Sequence, residues 1–259
     1  MESGDTPQST RLQMPHQRSV AVPHLSVILA VRDPDHAQLS RCIASFAALR
    51  SCGHIEIIVV TCGETLRFDA GVVERLAAFR SVVGEARGVY PAYNEGCRHA
   101  QAPFVIFFGA DDIALPGLDD IISALNQNDA QTLLYAGPCL MQGKGVHRPS
   151  FFRLSITYRN WCHQGIVYRK DCVTRHGFST DYAILADHYL NIQILASSRR
   201  SARIFDEPVA YFSAGGTSSL SRDVRFQADQ LRIVTTAFGW PGACLLNARN
   251  AARLLLGRK

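Results

Sequence analysis

Two patterns of apolar residues recur along the chain. Short unbroken runs of Val, Ile, Leu and Phe alternate with longer stretches in which apolar positions return every three to four residues. The run LSVILAV (25–31) reads as a strand buried on both faces, and it stops at the turn signal Arg32-Asp33-Pro34. A helix over 36–50 follows, with Leu39, Ile43, Phe46 and Leu49 on one face. IEIIVV (55–60) is a second buried strand, broken by Thr61-Cys62-Gly63. The spacing of Val72, Val73, Leu76 and Phe79 predicts a helix over 68–80, with a short strand near 81–83. A helix over 90–100, a strand VIFF (105–108), a helix over 116–126 opening on Pro116 and a strand over 132–136 complete the first half.

Such alternation predicts an α/β fold: a doubly wound, mostly parallel sheet with helices on both faces. From 137 to 161 the pattern weakens into Gly- and Pro-marked loops that carry Lys144, His147, Arg148 and Arg153. A strand over 165–168, a helix over 170–176 closed by Gly177 and a stronger helix over 181–196 follow. The stretches 202–205 and 209–212 read as a strand pair, and GGTSS (215–219) as a loop. Helices over 223–238 and 241–256 form a C-terminal helical extension. These boundaries divide the chain into a disordered leader (1–23), a main domain (24–220) and a helical tail (221–259).

With 259 residues, 47% of them hydrophobic, the chain can bury one large α/β core. The net charge of +5 is too mild for a nucleic-acid binder and suits an anionic small ligand or an anionic membrane surface. None of the eight cysteines forms a CxxC pair, and their neighbours are mostly apolar, which points to reduced thiols in a cytosolic protein. No run of about 18 apolar residues exists, and the first residues lack the apolar core of a signal peptide. The last helix combines leucines with Arg249, Arg253, Arg258 and Lys259, so it either lies on an anionic membrane or packs on its own domain.

Chemistry concentrates where strands end. VIFFGADD (105–112) runs from buried strand into Gly109-Ala110 and two carboxylates, Asp111 and Asp112. In open α/β sheets ligands sit at the carboxyl edge of the strands, and hard cations with their phosphates need oxygen donors there. From this octapeptide alone, the two acids equally well only open the turn before Leu118. Arg32-Asp33 and Thr61 put polar groups on the same rim.

The stretches LSVILAVRDPDHAQLSRCIASF, IEIIVVTCGET, GVYPAYNEGCRHAQAPFVIFFGADD, CHQGIVYRKD and ILADHYLNIQIL, in that order, resemble the family 2 glycosyltransferases, inverting enzymes with the GT-A fold. The resemblance runs from Leu25 to about Ser219. It implies a nucleotide-sugar half (about 24–136), an acceptor half (about 137–220) and transfer of a sugar from a nucleotide diphosphate sugar to a glycan or lipid-linked glycan. It places the nucleotide around Val31, Arg32, Thr61, Tyr90 and Asn94, with Gly109 and Ala110 in the Asp-x-Asp-like segment. It puts a divalent cation, Mg²⁺ or Mn²⁺, on Asp111, with Asp112 as turn, outer support or second ligand. It makes Asp187 the general base, although by residue type alone Asp187 is a solvated helix position. It sets Trp161, His163 and Gln164 near the transferred sugar. The cysteines point to a cytoplasmic enzyme, and the tail leaves peripheral contact with the inner face of the membrane as an open alternative.

Three positions depart from the family pattern. Thr61 stands where an Asp usually reads the base, Gly109 where Asp or Asn opens the Asp-x-Asp segment, and Pro91 where an acid is common. A sugar-1-phosphate nucleotidyltransferase would carry a Gly-rich basic loop after the first strand, and ILAVRDPDH contains no Gly. A non-catalytic nucleotide-sugar binder or scaffold is the reading that Gly109 and Thr61 favour.

Overall fold

A computed structural model of the chain describes residues 22–33, 35–62, 66, 69–84, 88–127, 129–198, 201–213 and 222–257. The expected leader lies almost wholly outside the described residues, as does the GGTSS loop. In chain order the elements are β1 (Leu25–Val31), α1 (His36–Ala47), β2 (Ile55–Cys62), α2 (Ala70–Val73), β3 (Ala78–Gly84), α3 (Val89–His99), β4 (Phe104–Gly109), β5 (Ile113–Ala114), α4 (Gly117–Leu125) and β6 (Leu134–Ala136). There follow β7 (Cys139–Met141), β8 (Gly145–His147), β9 (Ile166–Arg169), α5 (Lys170–His176), α6 (Ala186–Ser197), β10 (Ala202–Ile204), β11 (Ala210–Phe212) and α7 (Val224–Leu255).

Seven strands form the central sheet in the order β10-β6-β9-β4-β1-β2-β3. Only β9 runs against its neighbours; the other pairings are parallel. The unbroken apolar runs follow from burial on both faces. Val105 and Phe107 join a core with Ile28, Tyr93, Tyr168 and Leu190. Ile106 and Phe108 join the opposite one, with Leu29, Phe46 and Leu118. Helix α3 lies so close to the sheet that a Cβ on Gly96 would stand 2.3 Å from Ile28 Cγ2.

A smaller sheet, β5-β11-β7-β8, sits beyond the end of β4. The expected pairing of 202–205 with 209–212 does not form: β10 pairs with β6 in the large sheet and β11 with β5 and β7 in the small one. The helix expected over 68–80 is also corrected. Only Ala70–Val73 is helical, and Ala78–Gly84 forms the edge strand β3 along β2. There Arg80 reaches the buried Glu56 at 3.3 Å, and Glu56 Oε2 accepts from Ser26 Oγ at 2.6 Å. Helix α6 begins at Ala186, later than the 181 expected.

The tail breaks where Gly and Pro fall. Gly239 has φ 65° and ψ −161°, and Pro241 follows, so α7 is two helical segments joined at a kink. Asp223 caps its start by accepting from Phe226 N at 3.0 Å, and it also accepts from Ile184 N and Leu185 N. The first segment is thereby fastened to the loop that leads into α6. Among the described residues no helix is long and apolar enough to cross a membrane.

Candidate active site

The register places the strand ends on one rim. Val31 of β1 lies beside Thr61 of β2, and Ala30 beside Gly109 of β4. Because β9 runs in reverse, its start rather than its end meets this rim: Phe104 pairs with Arg169, and Ala136 with Ile166. The residues just before β9, His163 and Gln164, are therefore carried to the same edge as the ends of the parallel strands. They form a single 3₁₀ turn, His163–Gly165. Its Gly165 passes so near β6 that a Cβ would stand 2.5 Å from Gly137 O.

At the end of β4 the two acids divide their work. Asp112 is 1% exposed. Its Oδ2 accepts from Gly109 N at 2.9 Å and from Gln164 Nε2 at 3.0 Å, and its Oδ1 from Ser213 N at 3.2 Å. Burial pushes this carboxyl up to about 6, although the three donors pull the other way. Asp112 thus fastens the turn and faces inward, which argues against it as a metal ligand. Asp111 is half-exposed, and among the described residues no hydrogen bond engages its carboxylate. Its carbonyl accepts from Ser213 Oγ at 2.7 Å, which fixes the backbone of the turn. A Cβ on residue 109 would meet Asp111 Oδ1 at 2.8 Å and Asp112 Oδ2 at 3.1 Å. Gly109 therefore makes room for both carboxylates in this arrangement.

Asp187 lies in the first turn of α6, where the helix end favours negative charge. It is 6% exposed and surrounded by donors. Oδ2 accepts from Asn160 Nδ2 at 2.8 Å and from His163 Nδ1 at 3.1 Å. Oδ1 accepts from His188 N at 2.8 Å and lies 3.2 Å from the Tyr90 hydroxyl, which also contacts the Ile184 carbonyl. Burial raises the carboxyl, but His163 above all, then His188 and Asn160, outweigh it and hold Asp187 below the usual carboxylate value. Burial lowers His163, yet Asp187 outweighs this and raises it, so each group favours the charged form of the other. Burial first, then Asp187, pushes the Tyr90 hydroxyl well up and keeps its proton. His188 turns away: its Nε2–H donates to Ile156 O at 2.5 Å, its ring stacks on Phe226, and burial lowers its pKa.

The turn 163–165 thus ties one carboxylate to the other. His163 holds Asp187 and its neighbour Gln164 holds Asp112, while Cys162 Sγ donates to Gln164 Oε1 at 3.0 Å. His163 Nε2 is buried without a partner among the described residues. A second line of support reaches Asp187 from behind. Tyr168 OH donates to Asn191, Asn191 to Asn160, and Asn160 to Asp187. The sequence reading missed Asn160 and Asn191; Asn191 was findable, because it stands four residues after Asp187 on the same helix face.

Other expected site residues sit differently. Val31 and Thr61 are nearly buried at the rim, Arg32 is exposed beyond it and Ala110 lies half-buried in the turn. Asn94 spends both ends of its amide on Phe178, donating to its carbonyl at 2.8 Å and accepting from its N–H at 2.9 Å. Trp161 is 2% exposed and packs in the core, so it presents no ring face to the rim. Among the described residues no group of three or more His, Cys, Asp or Glu could hold a metal by itself.

The model of the Glycosyl transferase family 2 matches residues 26–173. The chain belongs to that family. A PGL/p-HBAD biosynthesis glycosyltransferase of Mycobacterium tuberculosis (strain ATCC 25177 / H37Ra) is 30% identical over 220 residues, 80% of this chain and 84% of that protein. The same figures hold for a protein of that name from Mycobacterium bovis (strain BCG / Pasteur 1173P2). Among solved structures, S. aureus TarS 1-349 in complex with UDP-GlcNAc superposes with TM-score 0.66 at 16% identity, over 86% of this chain and 70% of that one. Mannosyltransferase PcManGT from Pyrobaculum calidifontis, in complex with GDP-Man and Mn2+, gives 0.56 at 17% identity, over 90% and 81%. These two likenesses show the GT-A-type fold. The family 2 chain described here is a glycosyltransferase, and its match to the family model takes in Asp111, Asp112, His163 and Gln164 but ends before Asp187.

Proposed function

We propose that this glycosyltransferase moves one sugar from a nucleotide diphosphate sugar to a glycan or lipid-linked glycan, with inversion and with help from a divalent cation. The observation that carries the proposal is the bridge of His163 and Gln164, which sets a buried, ionised Asp187 at a fixed relation to the turn that presents Asp111. The nucleotide would lie along the rim at Val31, Arg32 and Thr61. One open carboxylate fits a cation that takes its other ligands from phosphate and water. Asp111 would hold that cation, which when bound offsets the charge of the leaving diphosphate. The relatives' role in PGL/p-HBAD biosynthesis and the UDP-GlcNAc and GDP-Man of the solved neighbours support a nucleotide-sugar donor.

Asp187 would act as the base. Four donors fill a carboxylate's acceptor sites, but Tyr90 has a second acceptor in the Ile184 carbonyl. Its hydroxyl can stay there while an acceptor hydroxyl takes its place on Oδ1. The acceptor proton passes to Asp187 as the acceptor oxygen bonds to the anomeric carbon and the bond to the diphosphate oxygen breaks. One displacement, with no enzyme nucleophile, inverts the centre. The work would be done on the cytoplasmic side, where nucleotide sugars are donors.

The test is sugar transfer from a panel of nucleotide diphosphate sugars with Mn²⁺, comparing the native chain with Asp187→Asn. Turnover should fall by about 10²-fold or more, while nucleotide binding is kept. Unchanged turnover in the variant would overturn the assignment. Nucleotide binding without transfer by the native chain would instead favour the non-catalytic binder.

A further inference from the structure

Charge and apolar surface are unevenly placed in this chain. After Asp229 there are five basic residues and no acid, so the 22 basic residues before that point balance all 22 acids. The whole net charge of +5 therefore lies in the tail. Arg232 pairs with Asp229, and the four other basic residues of this stretch lie beyond the Gly239 kink.

The second segment of α7 has two contrasting sides. At about 100° per residue, Trp240, Cys244, Ala248, Ala251, Leu254 and Leu255 fall within one half of the helix circumference. All six are exposed, with Trp240 at 76%, Leu254 at 83% and Leu255 at 88%. The opposite side faces the protein: Leu246 is buried in the core, and the Arg249 guanidinium lies 5.4 Å from the Tyr158 ring centre. From Asn247 to Gly257 every residue is exposed. The segment is thus anchored at Leu246 and Arg249 and exposed beyond them, with Trp at one end of the apolar stripe and leucines at the other.

We propose that this stripe docks on an anionic lipid bilayer. An interfacial helix buries Trp and Leu among headgroups, and the basic surplus of the tail adds long-range attraction to an anionic surface. Charge complementarity selects the bilayer over a second copy of the chain, because two such tails would repel one another. The first segment of α7 is fixed by Asp223 to the loop just before Asp187, so a docked tail would be joined directly to the loop that leads into α6.

The experiment uses the full chain and vesicles of phosphatidylglycerol and phosphatidylcholine, compared with phosphatidylcholine alone. The chain has two tryptophans, and Trp161 is buried, so a blue shift in emission on adding vesicles reports on Trp240. Expected are co-sedimentation with the anionic vesicles, a blue shift, and weakening as salt is raised. Leu254→Ser with Leu255→Ser should lower partitioning by about tenfold or more, and Arg249→Glu with Arg253→Glu should lower it further at low salt. These side chains are exposed, and circular dichroism checks that the variants fold. Equal affinity for both vesicle types, or none for either at low salt, would overturn the proposal. So would a lipid-free, concentration-dependent dimer that shifts Trp240 emission, since the occupant would then be a second copy. The readout is independent of sugar transfer, so it stands or falls apart from the proposed reaction.

Discussion

Replacing Asp112 by Asn removes an ionisable group and keeps its volume. In the folded chain burial raises the carboxyl of Asp112 to about 6, against an ordinary value of 3.8. A raised acid favours the folded state in its neutral form. Its contribution is whole below the unfolded value and is lost as pH rises through about 6. The difference between the two values corresponds to roughly 3 kcal/mol, of which about half falls between pH ~5 and ~7.5. Asn does not ionise and escapes that loss. It has a penalty of its own, because its NH₂ would face the Ser213 N–H that now donates to Oδ1; such a mismatch costs about 1–3 kcal/mol at any pH. The expected result is that Asp112→Asn gains about 1 kcal/mol on the native chain as pH goes from ~5 to ~7.5. Urea unfolding at both pH values, in chelator and with equal slopes, measures it. A difference that stays flat across this range would refute burial as the cause of the raised carboxyl. A difference of opposite sign would mean that the three donors prevail.

Asp111→Ala should abolish the Mn²⁺-dependent part of the stabilisation given by a nucleotide diphosphate. At a hundredfold excess over Kd that stabilisation is about 2.7 kcal/mol, or roughly 5–10 °C in Tm for a chain of this size, read by thermal scanning. Gly96→Ala should cost about 1–3 kcal/mol by overpacking α3 against Ile28 and Val60, and a denaturant midpoint equal to that of the native chain would contradict it.

The uninterrupted runs at β1, β2 and β4 were legible because each strand is buried on both faces, which leaves no polar alternation to confuse the pattern. The rim at Val31, Thr61 and Gly109 was legible for the same reason: the runs stop at the same level. The region 68–80 was not. Val72, Val73, Leu76 and Phe79 keep a helical period, but Ala78–Gly84 is claimed by the free edge of β2, and Arg80 is drawn to Glu56, 24 positions away. The reversal of β9 was also hidden, since a short apolar run reads the same in either direction. That reversal brings His163 and Gln164 between the carboxylates, and so the link between Asp112 and Asp187 could not be found locally. Thr61 and Gly109 looked like losses from the family pattern. Gly109 is now explained by the space the two acids require, whereas nothing in the structure explains Thr61.

Asp112 takes one of its hydrogen bonds from Ser213, which lies 101 residues further along the chain. Asp187 is met from behind by Asp223 through Ile184 and Leu185. Strands β1 to β4 and their helices are therefore synthesised long before the residue that secures the turn at Asp111. Only when the polypeptide beyond β11 has been made does Ser213 arrive, so competence for chemistry comes late in synthesis, after most of the core residues have been made.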